Sequence, residues 1–171
     1  MNLPSHVKLV ILDVDGTLVS TKSGETFRKT ADDWQWLPGR LETLQQLKAE
    51  EIAIRFASNQ GGVAFDYLKE HEIINEFMRM TREIGFEPGT NIMHICFTHP
   101  KAIVAGYLEE SHGPNSNRRK PGPGMLQEAM LQENVSAQDT LMVGDRPEDE
   151  QAAQNAGAAF MWSDEFFKEE V

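Results

Sequence analysis

The sequence predicts an α/β fold in which a doubly wound, mainly parallel sheet carries helices on both faces. Two observations predict it. Short apolar runs recur along the chain, and segments with one apolar face separate them. Buried parallel strands are typically apolar throughout, and their alternation with amphipathic helices is typical of a sheet covered on both faces. Ligands of such sheets bind outside the carboxyl ends of the strands.

Five apolar runs are predicted to be the strands of this sheet, because turn or loop signals bound each of them. The predicted strands are residues 7–12, 52–57, 91–97, 140–143 and 158–162. Spacing of apolar residues along one face predicts the helices between them. The predicted helices are residues 40–48, 63–84 (broadly helical, with breaks allowed), 124–133 and 148–156, the last ended by Gly157.

The remaining segments are predicted from their composition. Residues 16–27 are rich in Thr, Ser and Gly, which indicates a small hairpin-like flap after the first strand. Residues 99–119 are expected to be mostly loop with one helix at 101–110, and residues 164–171 a short helix docked by two phenylalanines. Residues 1–171 are expected to form a single domain, long enough to bury roughly 70% of the unfolded surface.

Composition limits the partners of the chain. A formal net charge of −11 argues against an extended nucleic-acid surface and against an anionic membrane, although a small phosphorylated substrate stays compatible with it. No apolar stretch reaches the roughly 20 residues of a membrane span, and the first residues do not resemble a signal peptide. The single cysteine, Cys96, rules out an internal disulfide. A cytoplasmic protein is expected.

Asp13 and Asp15 directly follow the first predicted strand, and Gly16 then marks a turn. Residues i and i+2 of an extended chain point the same way, so the two carboxylates are expected to lie close together. Carboxylates that close repel each other unless a cation or a shared proton separates them. The pair therefore indicates a site for a hard cation such as Mg²⁺, with one carboxylate able to attack phosphorus.

Three further groups follow or approach strand–loop–helix junctions. Ser58 and Asn59 come after the second predicted strand, and Lys120 lies in a Gly- and Pro-rich loop beside Arg119. Asp145 follows the fourth predicted strand, and Asp149 lies one helical turn later, on the same side.

Taken in order, Asp-x-Asp-Gly-Thr, Ser, Lys and Gly-Asp-x-x-x-Asp resemble the motifs of the haloacid dehalogenase (HAD) superfamily of phosphohydrolases. The resemblance spans residues 7 to about 160 and implies a Rossmann-like sheet. Both gaps where larger members insert a lid are short, so no large cap domain is expected. The site should therefore be open.

The resemblance implies a role for each motif. Asp13 would be the nucleophile that forms an aspartyl-phosphate, and Asp15 the general acid and base. Ser58 and Lys120 would offset the charge of the transferring phosphoryl group. Mg²⁺ would be held by four aspartates, with Asp149 acting through a metal-bound water. These metal-site residues are Asp13, Asp15, Asp145 and Asp149, and the expected substrate-binding residues are Asn59 and Arg119.

The lid-poor pattern is similar to the branch (subclass III) with histidinol phosphatases, heptose bisphosphate phosphatases and polynucleotide 3′-phosphatases. Residues 21–27 with Asp33 and Trp34 look like the polynucleotide 3′-phosphatase flap. The resemblance of the flap favours a polynucleotide 3′-phosphate, whereas the acidic charge favours a small phosphorylated metabolite. The substrate and the oligomeric state stay open at this point.

Simpler interpretations compete with these assignments. The aspartates can serve as turn formers or helix-dipole partners, Ser58 as the N-cap of the next helix, and Lys120 as a solvated surface residue. Relatives in this branch often carry a zinc loop before the lysine motif. Here Cys96, His99 and His112 are scattered candidates, which do not make a closed tetrahedral site.

Two other classes of function stay as alternatives. A signalling receiver domain also combines acids, Ser or Thr, and Lys on a doubly wound sheet. Its phosphate-accepting aspartate normally follows the third strand, where this chain has residues 96–99 and no acid. A catalytically silent binding module is the second alternative.

Overall fold

The computed structural model describes residues 1–105 and 117–168, and for residues 103–105 the backbone alone. Seven strands occur in these ranges. They are β1 (Leu9–Leu12), β2 (Val19–Ser20), β3 (Gln35–Trp36), β4 (Ala53–Asn59), β5 (Met93–Cys96), β6 (Thr140–Gly144) and β7 (Ala159–Trp162). Five of them form one parallel sheet in the order β5-β4-β1-β6-β7, and β2 pairs antiparallel with β3. The predicted fold class is confirmed.

The strand order places a topological switch at the centre of the sheet. From β1 the chain moves outward through β4 and β5, and then returns to the other side of β1 to add β6 and β7. Loops leaving β1 and β6 therefore part in opposite directions and leave a crevice between them. This crevice is where the residues after β1 and β6 meet.

Helices cover both faces of the sheet. They are α1 (Arg40–Ala49), α2 (Glu70–Ile84), α3 (Gly124–Glu133), α4 (Pro147–Ala156) and α5 (Ser163–Phe166), with 3₁₀ turns at Pro100–Ala105 and Ala137–Asp139. Val10 and Leu12 of β1 face a core built with α1 and α2, whereas Leu9 and Ile11 face a core built with α3 and α4. β1 is fully buried on both faces, which explains its unbroken apolar run.

Several boundaries differ from the prediction. β4 continues through Ser58 and Asn59. The predicted helix over residues 63–84 is wrong in its first part, because α2 begins at Glu70 and tight turns precede it. Asp66, with a φ of 59°, interrupts any helix there.

The loop and tail helices also differ. Residues 100–105 form a 3₁₀ turn instead of an α-helix, and the rest of the helix predicted at 101–110 lies outside the described residues. The tail helix begins at Ser163, and Phe166 and Phe167 are both buried, as expected. None of the described helices is long and apolar enough to cross a membrane.

The flap extends further than residues 16–27. Its β2–β3 pair ends at Trp36, and two tryptophans fasten it to α2: Trp34 donates to Glu76 at 2.8 Å and Trp36 to Glu83 at 2.6 Å. Asp33 closes the flap by accepting from the backbone of Lys29 and from Ser23. These hydrogen bonds lower the pKa of Asp33 to about 2, and the one from the Lys29 backbone has the largest effect.

Candidate active site

Asp13 stands at the carboxyl end of β1, where its backbone N–H donates to Val143 of β6 at 3.0 Å. The chain then turns at Gly16, whose φ of 92° is left-handed. A Cβ at Gly16 would lie 2.2 Å from Oδ2 of Asp145. Only glycine therefore lets the Asp145 carboxylate come this close to the turn.

Three carboxylates meet in the crevice between β1 and β6. One oxygen each of Asp13, Asp145 and Asp149 lies within 4.8 Å of the others. The start of α4 positions the last of them: Oδ2 of Asp149 accepts from the backbone of Asp145 at 3.2 Å and of Arg146 at 3.1 Å. A Cβ at Gly144 would lie 2.4 Å from this side chain, so glycine makes room for it.

Lys120 is buried among these carboxylates. Its Nζ donates to Oδ1 of Asp13 at 2.7 Å and to Oδ1 of Asp149 at 2.6 Å. The side-chain amide of Asn59 makes two hydrogen bonds to the Lys120 backbone, at 2.9 and 3.1 Å. Lys120 is thus not a solvated surface residue, and Asn59, expected to bind substrate, holds the loop that carries the lysine.

Burial and charge set the protonation of the cluster. Burial would lower the pKa of Lys120, but the charges of Asp13 and Asp149 outweigh it and raise that pKa. The pKa of Asp13 is raised to about 7, mainly by burial. Lys120 opposes this rise but is outweighed, and the nearby charge of Asp149 adds to the rise. The pKa of Asp145 is raised by burial and then by Asp149. Crowded carboxylates of this kind favour a bound cation.

The donor set fits Mg²⁺. The cluster contains three carboxylates, two of which accept from the Lys120 ammonium, so a formal excess of two negative charges is left when all are ionised. Mg²⁺ prefers hard oxygen ligands and is commonly held by one or two carboxylates together with water and substrate phosphate. Asp13 and Asp145 offer such oxygens. Asp149, tied to Lys120 and two backbone N–H groups, suits an indirect role.

The side chain of Asp15 does not join the carboxylate cluster, contrary to the expectation that it lies with Asp13. Its Oδ1 accepts from Nε of Arg28 at 2.7 Å, and Nη2 of Arg28 is also 2.7 Å away. Its Oδ2 accepts from Nε2 of Gln60 at 2.6 Å. The flap and the loop after β4 thus hold this carboxylate between them.

Ser58 is buried in β4, and its Oγ accepts from Gln60 at 2.8 Å. It does not cap the next helix, because α2 begins at Glu70 after Lys69. The hydroxyl of Thr17 lies 3.3 Å from Oδ2 of Asp13 and 3.2 Å from Oδ1 of Asp145, so it links two carboxylates.

Sequence reasoning did not assign roles to Thr17, Arg28 and Gln60. Thr17 ends the Asp-x-Asp-Gly-Thr motif and Gln60 follows Ser58 and Asn59, so the sequence positions of both indicate that they lie near the site. Arg28 had none.

The two arginines before Lys120 differ in what they contact. Arg118 forms a two-bonded ion pair with Glu128, at 2.6 and 3.0 Å, which makes it part of the α3 framework. Arg119 donates to the carbonyl of Thr98 at 2.7 Å and lies beside Gly61, at the loop after β4. Arg119 is therefore near the site, at its β5 side.

The residues considered for zinc occupy separate surroundings. Sγ of Cys96 is buried and 3.2 Å from Oγ1 of Thr98. The ring of His99 packs against Phe65 at 4.9 Å. His112 lies outside the described residues.

Comparison with known proteins agrees with this geometry. The family model described as polynucleotide kinase 3 phosphatase matches residues 8–171. D-glycero-beta-D-manno-heptose-1,7-bisphosphate 7-phosphatase of Bordetella bronchiseptica is 31% identical over 158 residues, covering 90% of this chain and 78% of that protein. The Pasteurella multocida enzyme of the same name is 29% identical over 154 residues, with coverage of 87% and 77%.

A solved structure matches as well. The D,D-heptose 1,7-bisphosphate phosphatase of B. bronchiseptica, complexed with magnesium and phosphate, superposes with a TM-score of 0.70 at 27% identity. The match covers 90% of this chain and 79% of that one. Fold, motif order, family model and relatives agree, and the chain belongs to the HAD superfamily of phosphatases, in the branch of the polynucleotide kinase 3 phosphatase family and the heptose bisphosphate phosphatases.

Proposed function

We propose that this protein hydrolyses phosphate monoesters with Mg²⁺ through an aspartyl-phosphate on Asp13. The observation that carries the proposal is the cluster of Asp13, Asp145 and Asp149, two of which accept from the buried ammonium of Lys120. A carboxylate nucleophile repels an incoming phosphate unless positive charge offsets the repulsion. This cluster provides one cation, the Lys120 ammonium, and oxygen ligands for a second, Mg²⁺.

The reaction has two steps. An oxygen of Asp13 bonds to phosphorus while the bond to the leaving alcohol breaks, and Asp15, once protonated, gives its proton to the leaving oxygen. Asp15 then takes a proton from water, which attacks phosphorus and releases phosphate and the Asp13 carboxylate. Lys120 and the hydroxyl of Ser58 offset the phosphoryl charge. Mg²⁺, when bound, supplies further neutralisation of that charge.

The substrate class stays between two candidates, a small phosphorylated metabolite and a polynucleotide 3′-phosphate. The sugar phosphates named for the relatives favour the metabolite, and the matching family model favours the nucleic-acid end. We propose a cytoplasmic, single-domain enzyme that uses no extended nucleic-acid surface and no membrane, consistent with its charge of −11.

Phosphate release from a panel of esters tests the proposal. The panel contains a 3′-phosphorylated oligonucleotide, a heptose bisphosphate and histidinol phosphate. Asp13→Asn should abolish turnover while leaving the fold intact, and chelation by EDTA should remove activity that Mg²⁺ restores. Asp139→Asn is the matched control, because Asp139 pairs with Lys8 on the surface and should not affect the rate. Normal hydrolysis by folded Asp13→Asn would refute the mechanism.

The two alternative classes give different results in the same assay. A receiver domain incubated with acetyl phosphate would form a stable phosphoprotein without turnover. A silent binding module would hydrolyse no member of a broad panel in the presence of Mg²⁺.

A further inference from the structure

We propose that Arg40, which lies outside the HAD motifs, is a positioning residue for the metal site. It holds the turn after β1 in place and connects that turn to the C-terminal helix α5. The inference rests on the proposed function, because it concerns Asp13 and Asp145, the carboxylates proposed to hold Mg²⁺. It deepens that function by assigning the spacing of these two carboxylates to a residue of α1 and to the tail of the chain.

The hydroxyl of Thr17 is the group that touches the carboxylates. It lies 3.3 Å from Oδ2 of Asp13 and 3.2 Å from Oδ1 of Asp145. Thr17 has no exposed surface, so water does not compete for this hydroxyl. A hydroxyl that contacts both carboxylates restrains the spacing of their oxygens, and Mg²⁺ is demanding about that spacing because it requires nearly ideal octahedral geometry.

Arg40 holds the backbone that carries this hydroxyl. Its Nε donates to the carbonyl oxygen of Thr17 at 3.1 Å. A buried carbonyl needs such a donor, since leaving it without a partner is costly. Arg40 is the first residue of α1 and follows Gly39, whose left-handed φ of 73° turns the chain from the flap into the helix. The Arg40 side chain is only 13% exposed, so packing restrains it.

The tail of the chain in turn holds Arg40. The guanidinium carbon lies over the ring of Phe167, 4.0 Å from the ring centre. Phe167 is 8% exposed and Phe166 is fully buried, and the Phe166 carbonyl accepts from the backbone of Asn2 at 2.8 Å. The ion pair of Arg40 with Asp164, at 3.8 Å, is weaker because the Asp164 side chain is fully exposed. Stacking on Phe167 is therefore the stronger of these two restraints.

A path of direct contacts thus runs from the tail to the metal site. Phe167 restrains Arg40, and Arg40 restrains the backbone of Thr17. The Thr17 hydroxyl then contacts both carboxylates. Loss of the Arg40 side chain should leave the carboxylates in the protein but loosen their spacing. Changes to residues that orient the ligands of a metal typically lower its affinity by about 10- to 100-fold.

Binding of Mn²⁺ to the full chain, followed by the EPR signal of the free ion, tests the inference without turnover. Mn²⁺ is the probe because it takes the same oxygen ligands as Mg²⁺. We expect Arg40→Met to weaken Mn²⁺ binding about tenfold. Phe167→Leu, which removes the ring but keeps an apolar side chain, should weaken it about threefold. Asp145→Asn should remove the binding and so identify the site.

Arg55→Met is the matched control. The Arg55 side chain is 12% exposed, nearly as buried as that of Arg40, and its ion pair with Glu133 at 2.6 Å ties β4 to α3. The variant loses the same charge and should be destabilised, yet it should keep its affinity for Mn²⁺. Equal Mn²⁺ affinities of folded Arg40→Met and Arg55→Met would overturn the inference. If Arg40→Met does not fold, an unchanged affinity of Phe167→Leu would overturn it instead.

A double-mutant cycle tests the route through Thr17. Thr17→Val removes the hydroxyl and should itself weaken Mn²⁺ binding. Arg40→Met added to Thr17→Val should then cost less than about twofold, and a further loss of about tenfold would show that Arg40 acts by another route. Failure of the proposed function has a different signature: the unaltered chain binds no Mn²⁺, or Asp145→Asn leaves the binding unchanged, and the positioning role is then refuted with it.

Discussion

Lys120 shows how a single residue supports both stability and chemistry. A buried ammonium is tolerated because two carboxylates accept from it at 2.6 and 2.7 Å. Those carboxylates are in turn tolerated because the ammonium is present. The same balance keeps Asp13 close to a positive charge in the absence of substrate. Loss of the lysine should therefore affect folding as well as catalysis.

Lys120→Met should lower the free energy of unfolding by about 3–5 kcal/mol, because it leaves two buried carboxylates without their partner. Urea denaturation of the metal-free protein measures this loss. Lys8→Met is the matched control: its exposed ion pair with Asp139 should contribute about 1 kcal/mol or less. Equal, small losses for both variants would contradict the structural role of Lys120. Activity of Lys120→Met should also be abolished.

Two elements, the flap and the turn after β1, position side chains at the site. The flap folds back through the β2–β3 pair and its tryptophan contacts with α2, which carries Arg28 to Asp15. The turn at Gly16 makes room for Asp145. Each element can be tested by one substitution with a matched control.

Arg28→Met should slow hydrolysis of esters with poor leaving groups more than that of esters with good ones. Arg28 positions Asp15, and a good leaving group has little need of a proton from it. We expect the kcat/KM ratio of acetyl phosphate to an alkyl phosphate to rise about tenfold. Arg79→Met is the control, since Arg79 packs over Trp34 of the flap, 4.3 Å from the ring centre. An equal loss of kcat/KM for both substrates would show that Arg28 only anchors the flap.

Gly16→Ala should lower kcat about 100-fold, because the new methyl group displaces the Asp145 carboxylate from a contact of 2.2 Å. Gly24→Ala is the matched control for Gly16→Ala. Gly24 also has a left-handed φ, of 77°, but nothing lies within 4 Å of an added Cβ. That control should cost about 1 kcal/mol of stability and leave the rate unchanged. Similar rates for the two variants would contradict the crowding at Asp145.

At the scale of the whole molecule, the charge of −11 limits how a polynucleotide could bind. Each phosphate that a protein neutralises releases counterions and steepens the dependence of affinity on salt. The cations described near the crevice are few, and Lys120, Arg28 and Arg118 are already paired with carboxylates. A terminal phosphate and its neighbouring nucleotide can still enter an open site.

If a 3′-phosphorylated oligonucleotide is hydrolysed, its affinity should depend only weakly on salt. We expect a slope of log affinity against log salt equivalent to about one to two phosphate contacts. Titration of Asp13→Asn with the oligonucleotide at several salt concentrations measures the slope. A steep slope would reveal a basic surface assembled by the fold.

Much of this architecture could be predicted from sequence because parallel strands end at a common edge. That rule brings Asp13 and Asp145 together from distant positions, and helix spacing adds Asp149. The rule does not extend to Asp15 or Arg28, because their contact depends on how the flap folds back. Residues 63–69 were also mispredicted, since local turns at Gly62 and Asp66 override their apolar pattern.

The bond between Lys120 and Asp13 joins residues 107 positions apart, and β6 and α4 follow later still in the chain. During synthesis, β1 and its aspartates emerge well before the lysine that neutralises them and the carboxylates that complete the cation site. A nascent chain stalled before residue 120 therefore cannot assemble this centre. Phosphate hydrolysis should therefore begin only after β6 has paired with β1 and brought Asp145 beside Asp13.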